Sequence, residues 1–272
     1  MTDRTFAPTA AATVIAMIGS PIAHAHLPGT FNRRFAEEGM NSVMTPLDVA
    51  PERLADFFAA LRGWSNCRGC VVTAPHKRAA VDLVDVASER ARGLDAVNLV
   101  VREAGGRLVG DNVDGAGFVQ GLGQRRFAVA GKRAIVFGCG GAGSSIALSL
   151  AEAGIGLLHL VDVDAARADA LATFVASLGR VSPFAGVPAS LEPYDLVVNA
   201  TAIGLDGVST VHSLETVRPD ALVADVLAVP ELTPWLRQAQ ERGCAIQPGS
   251  AMAEGQFGLI AERFGIALDL RR

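Results

Sequence analysis

The stretch Ile135-Val136-Phe137-Gly138-Cys139-Gly140-Gly141-Ala142-Gly143-Ser144 decides the fold. Three apolar residues run into Gly138, Gly140 and Gly143, a G-x-G-x-x-G turn. An apolar helix, Ile146 to Ala153, follows. The first glycine permits a tight turn, the second lets backbone approach a pyrophosphate, and the third lets helix pack on strand. The helix start, with Gly141 and Ala142 in it, presents free N–H groups and a positive dipole end to phosphates. A second strand, Leu157 to Val161, ends at Asp162, placed to accept hydrogen bonds from an adenosine ribose. A glycine-rich turn in an unliganded α/β domain is the bland alternative. Strand, turn, helix, strand and terminal acid in register favour a dinucleotide.

Asp162 also bears on which dinucleotide. A carboxylate within about 4 Å of a 2′-phosphate costs on the order of 4 kcal/mol per charge pair at an effective dielectric near 20. Val163 follows where an arginine would suit NADP, and Arg167 lies a turn into the next helix, able to compensate in part. NAD is the favoured cofactor, with NADP possible.

Outward from that turn, the chain alternates strand-like and helix-like segments, which predicts an α/β fold with a mainly parallel sheet. Strands are expected near Val14 to Ile18, Ser42 to Leu47, Cys70 to Thr73, Ile135, Leu158, Leu196, Leu222 and Ile246. Leu27, Phe31 and Phe35 recur at helical spacing up to Gly39. Leu54, Phe57, Phe58 and Leu61 form the buried stripe of a second helix ending at Gly63. Ala96 to Val101 and Arg107 to Gly110 flank Gly105-Gly106, a hairpin signal. Asp114 to Gly123 reads as helix, and the polar stretch Gln124 to Lys132 as a domain crossing. A last helix is expected over about Ser250 to Phe264.

Length and composition bound the function. The chain has 272 residues, 50% apolar and 19% charged, enough for a buried core and too apolar for a disordered chain. Acidic residues outnumber basic ones, 28 to 24, and no Lys/Arg cluster stands out. Nothing therefore points to nucleic acid or a membrane surface. Ala10 to Ile18 is apolar but short and β-branched, and reads as a buried strand rather than a signal segment. Four cysteines do not make a disulfide framework, and a reduced, cytoplasmic location is the default. The oligomer is left open, a homodimer included.

Thr73-Ala74-Pro75-His76-Lys77 follows a buried strand. Pro75 turns the chain, so Lys77 is expected to start a helix at the strand's C-terminal end, where open α/β sheets place ligands. Downstream come Ala96-Val97-Asn98 and Gly110-Asp111-Asn112-Val113-Asp114-Gly115.

With these segments the sequence resembles the shikimate dehydrogenase family over nearly its whole length. Ile18-Gly19-Ser20-Pro21-Ile22-Ala23-His24 is similar to the family's G-x-P-I-x-H opening, and Phe31-Asn32 follows at the right spacing. Val72 to Lys77 is similar to V-T-x-P-x-K. Gly110 to Gly115 is similar to G-D-N-T-D-G, with Val113 for the threonine. Asn199-Ala200-Thr201 matches an N-A-T turn beside the nicotinamide. Asp225-Val226, Pro230 and Thr233-Pro234 match a D-V…P…T-P region, and Met252 and Gln256 match the late helix.

The resemblance implies two domains with a cleft between them. Residues 1–113 would form the catalytic α/β domain, with 248–272 packing back on it, and 114–247 a Rossmann-like dinucleotide-binding domain. It implies reversible hydride transfer between NAD(P) and a ring secondary alcohol such as shikimate or quinate, within aromatic amino acid biosynthesis. Lys77 and Asp114 would be the catalytic pair. Asn98 and Gln256 would bind substrate hydroxyls, with Thr73 lining the site. Oxidising a secondary alcohol needs a proton acceptor within about 3 Å of the hydroxyl, which both residues can serve. The plainer readings are a solvated lysine and a helix N-cap. A non-catalytic sensor that kept the fold is the rival reading of the whole chain, against which both catalytic residues being present argues.

The departures are concentrated. Where the family carries H-S-x-S-P, this chain has His24-Ala25-His26-Leu27-Pro28. Ala25 and Leu27 cannot grip a carboxylate. The asparagine of the family's N-V-T is Val71, and a tyrosine expected after Asp225-Val226 falls at Ala228. A hydrogen bond to a charged group contributes roughly 1.5–3 kcal/mol. Losing two costs about 3–6 kcal/mol, or roughly 10²- to 10⁴-fold in binding. A related ring alcohol with a different or missing carboxylate is therefore expected, unless His26 turns inward as a substitute donor.

Other signals are weaker. Cys67-Arg68-Gly69-Cys70 has no second pair for a zinc site and enters a strand rather than a helix start. His24 and His26 lack a third ligand, so no metal is expected. His76, His159 and His212 read as structural or surface residues, Trp64 and Trp235 as packing. Ser144 and Ser145 stand at a helix start, where serines are common with or without a phosphate.

Overall fold

The computed structural model describes residues 8–23, 25–179, 181 and 183–266. His24 lies outside them. The chain divides into two compact units. The first holds the described residues up to Val113 together with those from Phe257 on; the second runs from Asp114 to Gln256.

The first unit is built on six strands. In chain order its elements are β1 (Thr13–Gly19), α1 (Leu27–Glu37), β2 (Ser42–Asp48), α2 (Leu54–Gly63), β3 (Cys67–Val72), β4 (Val86–Ala87), α3 (Glu89–Gly93), β5 (Leu99–Arg102) and β6 (Leu108–Asp111). The strand order is β2-β1-β3-β5-β6-β4. β1 pairs in parallel with β2 and β3, while β5 is antiparallel to both β3 and β6. β4 is parallel to β6, so most pairings in this sheet are parallel; only β5 runs against its neighbours, returning to β6 through the hairpin around Gly105-Gly106. The apolar stretch before Gly19 is the buried strand β1. Leu27, Phe31 and Phe35 form one buried face of α1, and Leu54, Phe57, Phe58 and Leu61 one face of α2. Each such large side chain contributes roughly 1.5–3 kcal/mol by leaving water. Ser88 caps α3 by accepting from the Ala91 amide at 3.0 Å.

The second unit contains α4 (Asp114–Gln124), β7 (Arg133–Phe137), α5 (Gly141–Glu152), β8 (Leu157–Val161), α6 (Ala165–Ser177), β9 (Phe184–Ala185), β10 (Leu196–Asn199), β11 (Leu222–Asp225), α7 (Pro234–Glu241) and β12 (Ala245–Gln247). Its strands run in the order β12-β11-β10-β7-β8-β9, and every pair is parallel. All four residues of β10 and of β11 are buried, the pattern of a sheet covered on both faces. The order reverses at β7, so the turn after Phe137 stands at the topological switch point. The polar stretch after Gln124 is not a domain crossing. It lies inside this unit, with Val129 buried and Phe127 packed against the same core.

The last helix, α8 (Gly249–Arg263), runs across the division. In the first unit Phe257 packs on Phe31 with ring centroids 4.4 Å apart, and Arg263 pairs with Asp111 at 3.0 Å.

Candidate functional site

The glycine turn follows β7 with little freedom. Gly138 takes φ +96°, and a side chain there would meet the Thr201 methyl at 2.7 Å and the Ala200 carbonyl at 2.9 Å. At Gly143 a Cβ would fall 1.8 Å from the Gly138 carbonyl oxygen. Gly140 and Gly141 are different: a Cβ on either would meet nothing within 4 Å. The turn is closed on its inner side and open on its outer side, where the first amides of α5 have no partner within their own helix. That shape fits a pyrophosphate held by backbone N–H groups, with Ala142 in the same turn.

Asp162, at the end of β8, turns toward this loop. One carboxylate oxygen accepts from the Cys139 amide at 2.7 Å, the other from the Asp164 amide at 2.9 Å. Arg167 stands 3.5 Å away, and the Asp162 side chain is only 6% exposed. Its first role is thus to hold the glycine loop, which spacing alone did not show. Val163 beside it is fully exposed. Burial, then the Asp162 charge, pushes the Cys139 thiol up to about 12, so that thiol stays protonated and inert.

Asn199 is likewise spent inside the protein. Its oxygen accepts from the Thr201 amide at 3.0 Å and the Thr201 hydroxyl at 2.7 Å. Its amide donates to the Ile203 carbonyl at 3.0 Å and to Asp225 at 3.2 Å. Asn199 shapes the loop, and Thr201 is the residue that reaches toward Gly138.

Asp114 is the first residue of α4 and only 4% exposed. Its carboxylate accepts from the Gln256 side-chain amide at 2.9 Å. The next residue, Gly115, donates its amide to the Ser145 hydroxyl at 2.8 Å, and a Cβ on Gly115 would lie 1.9 Å from the Ser145 carbonyl. The start of α4 is therefore locked to the helix that follows the glycine turn. Gly117 plays the same part toward α8, where a Cβ would fall 2.3 Å from Gln256 Cγ and 3.0 Å from the Met252 carbonyl. Met252 is buried in this unit's core. Sequence reasoning did not find Ser145 or Gly117 in these parts; the glycine-rich run after Asp114 was the available signal.

In the first unit, Thr73 and Lys77 follow β3. The Thr73 amide donates to the Ile18 carbonyl at 2.8 Å, and Gly19 leaves room for the Thr73 methyl, which a Cβ would meet at 2.5 Å. Lys77 does not start a helix. It lies in a turn where the His76 amide donates to the Thr73 carbonyl, and a short 3-10 turn, Ala79–Asp82, comes after it. The segment is pinned from below: His76 Nε2 lies 2.7 Å from the Val49 carbonyl oxygen, and the Lys77 carbonyl accepts from the Val97 amide at 2.8 Å. These bonds hold the residue in place without a helical ladder. Lys77 itself is half-buried. Asn98 is buried, and its side-chain oxygen accepts from the Val113 amide at 2.8 Å, one residue before Asp114.

The departing positions are apolar, two of them buried and two half-buried. Leu27 is 5% and Val71 4% exposed; Ala25 and Ala228 are half-buried. His26 is exposed at the start of α1, where its side chain makes no capping bond. Both cysteines of the C-x-x-C pair lie buried on β3, and burial raises both thiols, Cys70 well above its ordinary value. Among the described residues no cluster of three metal-ligating side chains occurs, and no helix is long and apolar enough to cross a membrane.

Comparison with known proteins finds relatives over nearly the whole chain. Residues 17–100 match the shikimate dehydrogenase substrate binding domain. A shikimate dehydrogenase (NADP(+)) of Rhodospirillum rubrum is 38% identical over 268 residues, 95% of this chain and 94% of that protein. The ligand-free 5-ketofructose reductase of Gluconobacter sp. strain CHM43 has a TM-score of 0.87 at 29% identity, covering 95% of both chains. Shikimate 5-dehydrogenase of Listeria monocytogenes, in complex with shikimate and NAD, has a TM-score of 0.87 at 26% identity over 98% of this chain and 96% of that one. The protein is thus an NAD(P)-dependent oxidoreductase acting on a CH–OH group. Within that class, the chain belongs to the shikimate dehydrogenase family.

Proposed function

We propose that this chain is an NAD-linked dehydrogenase of a ring secondary alcohol whose carboxylate, if it has one, is not gripped as shikimate's would be. The observation that carries this reading is that Lys77, Asp114, Asn98, Thr73 and Gln256 are all present while Ala25, Leu27, Val71 and Ala228 put alkyl groups where the family places polar ones. Leu27 and Val71 are buried alkyl side chains, so neither offers a donor to an anion. A structural neighbour named for a keto sugar rather than a carboxylic acid fits the same direction.

Lys77 and Asp114 take up or return the hydroxyl proton as the alcohol is oxidised or the ketone reduced. Asp114 holds its carboxylate through Gln256. Asn98, Gln256 and Thr73 orient the ring. Gly138, Gly140, Gly141, Ala142 and Gly143 hold the pyrophosphate, while Asn199, Thr201 and Met252 form the wall for the nicotinamide. When bound, the dinucleotide supplies the hydride acceptor. His26, exposed as it is, is assigned no contact.

NAD is preferred over NADP because Asp162 and Asp164 outnumber Arg167 around the exposed Val163. A 2′-phosphate there meets net negative charge, on the order of 4 kcal/mol per close pair.

The test is initial-rate kinetics with NAD⁺ and NADP⁺ on shikimate, quinate and a panel of carboxylate-free cyclitols. Turnover of a cyclitol at higher kcat/KM than shikimate, with NAD⁺ ahead of NADP⁺, is expected. Shikimate ahead of every neutral ring alcohol would overturn the substrate reading and point to a replacement clamp, with His26 its first suspect.

A further inference from the structure

We propose that Asp225 is a positioning residue for the dinucleotide: its buried carboxylate ties the Asn199–Ile203 loop to the segment after β11 and so fixes the wall that faces the glycine turn. The inference rests on reading that loop as the nicotinamide side of the site.

Asp225 ends β11 and is 1% exposed. Three donors from three segments converge on it. The Leu227 amide donates to one oxygen at 3.0 Å. The Asn199 side-chain amide, at 3.2 Å, and the Thr233 hydroxyl, at 2.9 Å, donate to the other. Thr233 also accepts from the Leu236 amide at 3.2 Å as the N-cap of α7, so its hydroxyl is oriented from both sides. Burial pushes the Asp225 carboxyl up, and the three donors oppose that by stabilising its charged form.

What these bonds hold is the part of the unit that touches the glycine turn. Asn199, fixed by Asp225, holds both the amide and the hydroxyl of Thr201, and the Thr201 hydroxyl accepts from the Ile203 amide at 3.0 Å. Ala200 and Thr201 are the residues that close on Gly138 and Gly143. On the other side, the Leu227 carbonyl accepts from the Gly249 amide at 3.1 Å, and a Cβ on Gly249 would lie 2.4 Å from the Val226 and Leu227 carbonyls. The carboxylate thus braces both the loop against the turn and the start of the helix that carries Met252. Among the described residues, the partners of this buried anion all lie in these segments. It has no value as surface charge; its bonds all go to the shape of this wall.

The test compares Asp225→Asn, Thr233→Val and Thr233→Ser in the full chain. Asp225→Asn keeps the shape but opposes donor to donor at one of the three bonds. Thr233→Val removes the hydroxyl, and Thr233→Ser keeps it. Measured are NAD⁺ affinity by calorimetric titration, KM for dinucleotide and alcohol separately, and Tm. Asp225→Asn and Thr233→Val should weaken NAD⁺ binding about tenfold or more, with a smaller change in KM for the alcohol. Thr233→Ser should stay within about twofold of the parent. If Thr233→Val, folded below its Tm, binds NAD⁺ as the parent does and only its Tm falls, Asp225 is a core tie and the proposal is overturned. The Thr233 pair decides this even if Asp225→Asn does not fold. Failure of the parent protein itself to bind either dinucleotide overturns the cofactor reading instead, and this proposal with it.

Discussion

Two loops leave the C-terminal ends of buried strands, the ones proposed above to serve dinucleotide and substrate, and they are built in opposite ways. The turn after β7 is shaped by what is missing. Gly138 and Gly143 approach each other and Ala200 so closely that no side chain fits. The turn after β3 is shaped by what is present, with His76 bonded to the Val49 carbonyl and Thr73 seated over Gly19. A binding surface made of backbone cannot change its ligand by single substitutions. One made of side chains can, and by the family resemblance Ala25, Leu27 and Val71 of the first unit stand where polar residues are expected.

The comparison breaks most visibly at Lys77. Lys77→Ala should reduce turnover by roughly 10²- to 10⁴-fold, the range for losing a positioned acid–base group. NAD⁺ affinity measured in the same preparation should be unchanged. Equal loss of both would mean that the two loops are not separate in function.

The glycines come next. Gly143→Ala places a Cβ 1.8 Å from the Gly138 carbonyl, a clash that backbone must move to relieve. Overpacking of that kind costs about 1–3 kcal/mol, so both Tm and NAD⁺ affinity should fall. Gly140→Ala meets nothing in the protein, so its Tm should hold while NAD⁺ affinity drops. Unaltered affinity in Gly140→Ala would remove the pyrophosphate from that side of the turn.

The smallest effect separates the units by acidity. His159 is buried in the second unit, against Tyr194 and the Gly186 carbonyl, and burial lowers its pKa below the ordinary value. The unfolded chain therefore binds a proton more readily than the folded one. Stability is complete above about pH 6.5 and declines as the pH falls below it. Thermal melts between pH 7.5 and 5.5 should show this slope, and His159→Gln should flatten it. A slope that survives the substitution would belong to another group.

Much of this was legible because glycine and apolar spacing report backbone geometry directly. The strand–turn–helix around Gly138, the helical stripes of Phe31 and Phe58, and the hairpin at Gly105-Gly106 all stand where residue type alone places them. The two-residue strands β4 and β9 do not show in the sequence, since so short a run carries no periodicity. Lys77 stands in a turn and not at the expected helix start, because a proline after a strand signals a bend without specifying the structure beyond it. Spacing makes Asp162 a ribose ligand but does not show that its carboxylate also holds the glycine loop through the Cys139 amide. Asp225 matches a motif without a role, because three donors from distant segments leave no local pattern. In each case the missing information is which partner a polar side chain chooses, and that is set by tertiary structure.

The second unit opens at Asp114 and closes at Gln256, and those two residues are bonded to each other. The first unit is therefore an interrupted polypeptide whose final segment, from Phe257 on, is synthesised only after the whole of the second. During synthesis the contact of Phe257 with Phe31 forms only after that. Once the second unit has folded, its ends meet, and the span that the returning segment must close shrinks from a long flexible loop to a single contact. The entropy of loop closure grows with length, so folding of the inserted unit lowers the cost of completing the unit that encloses it in sequence.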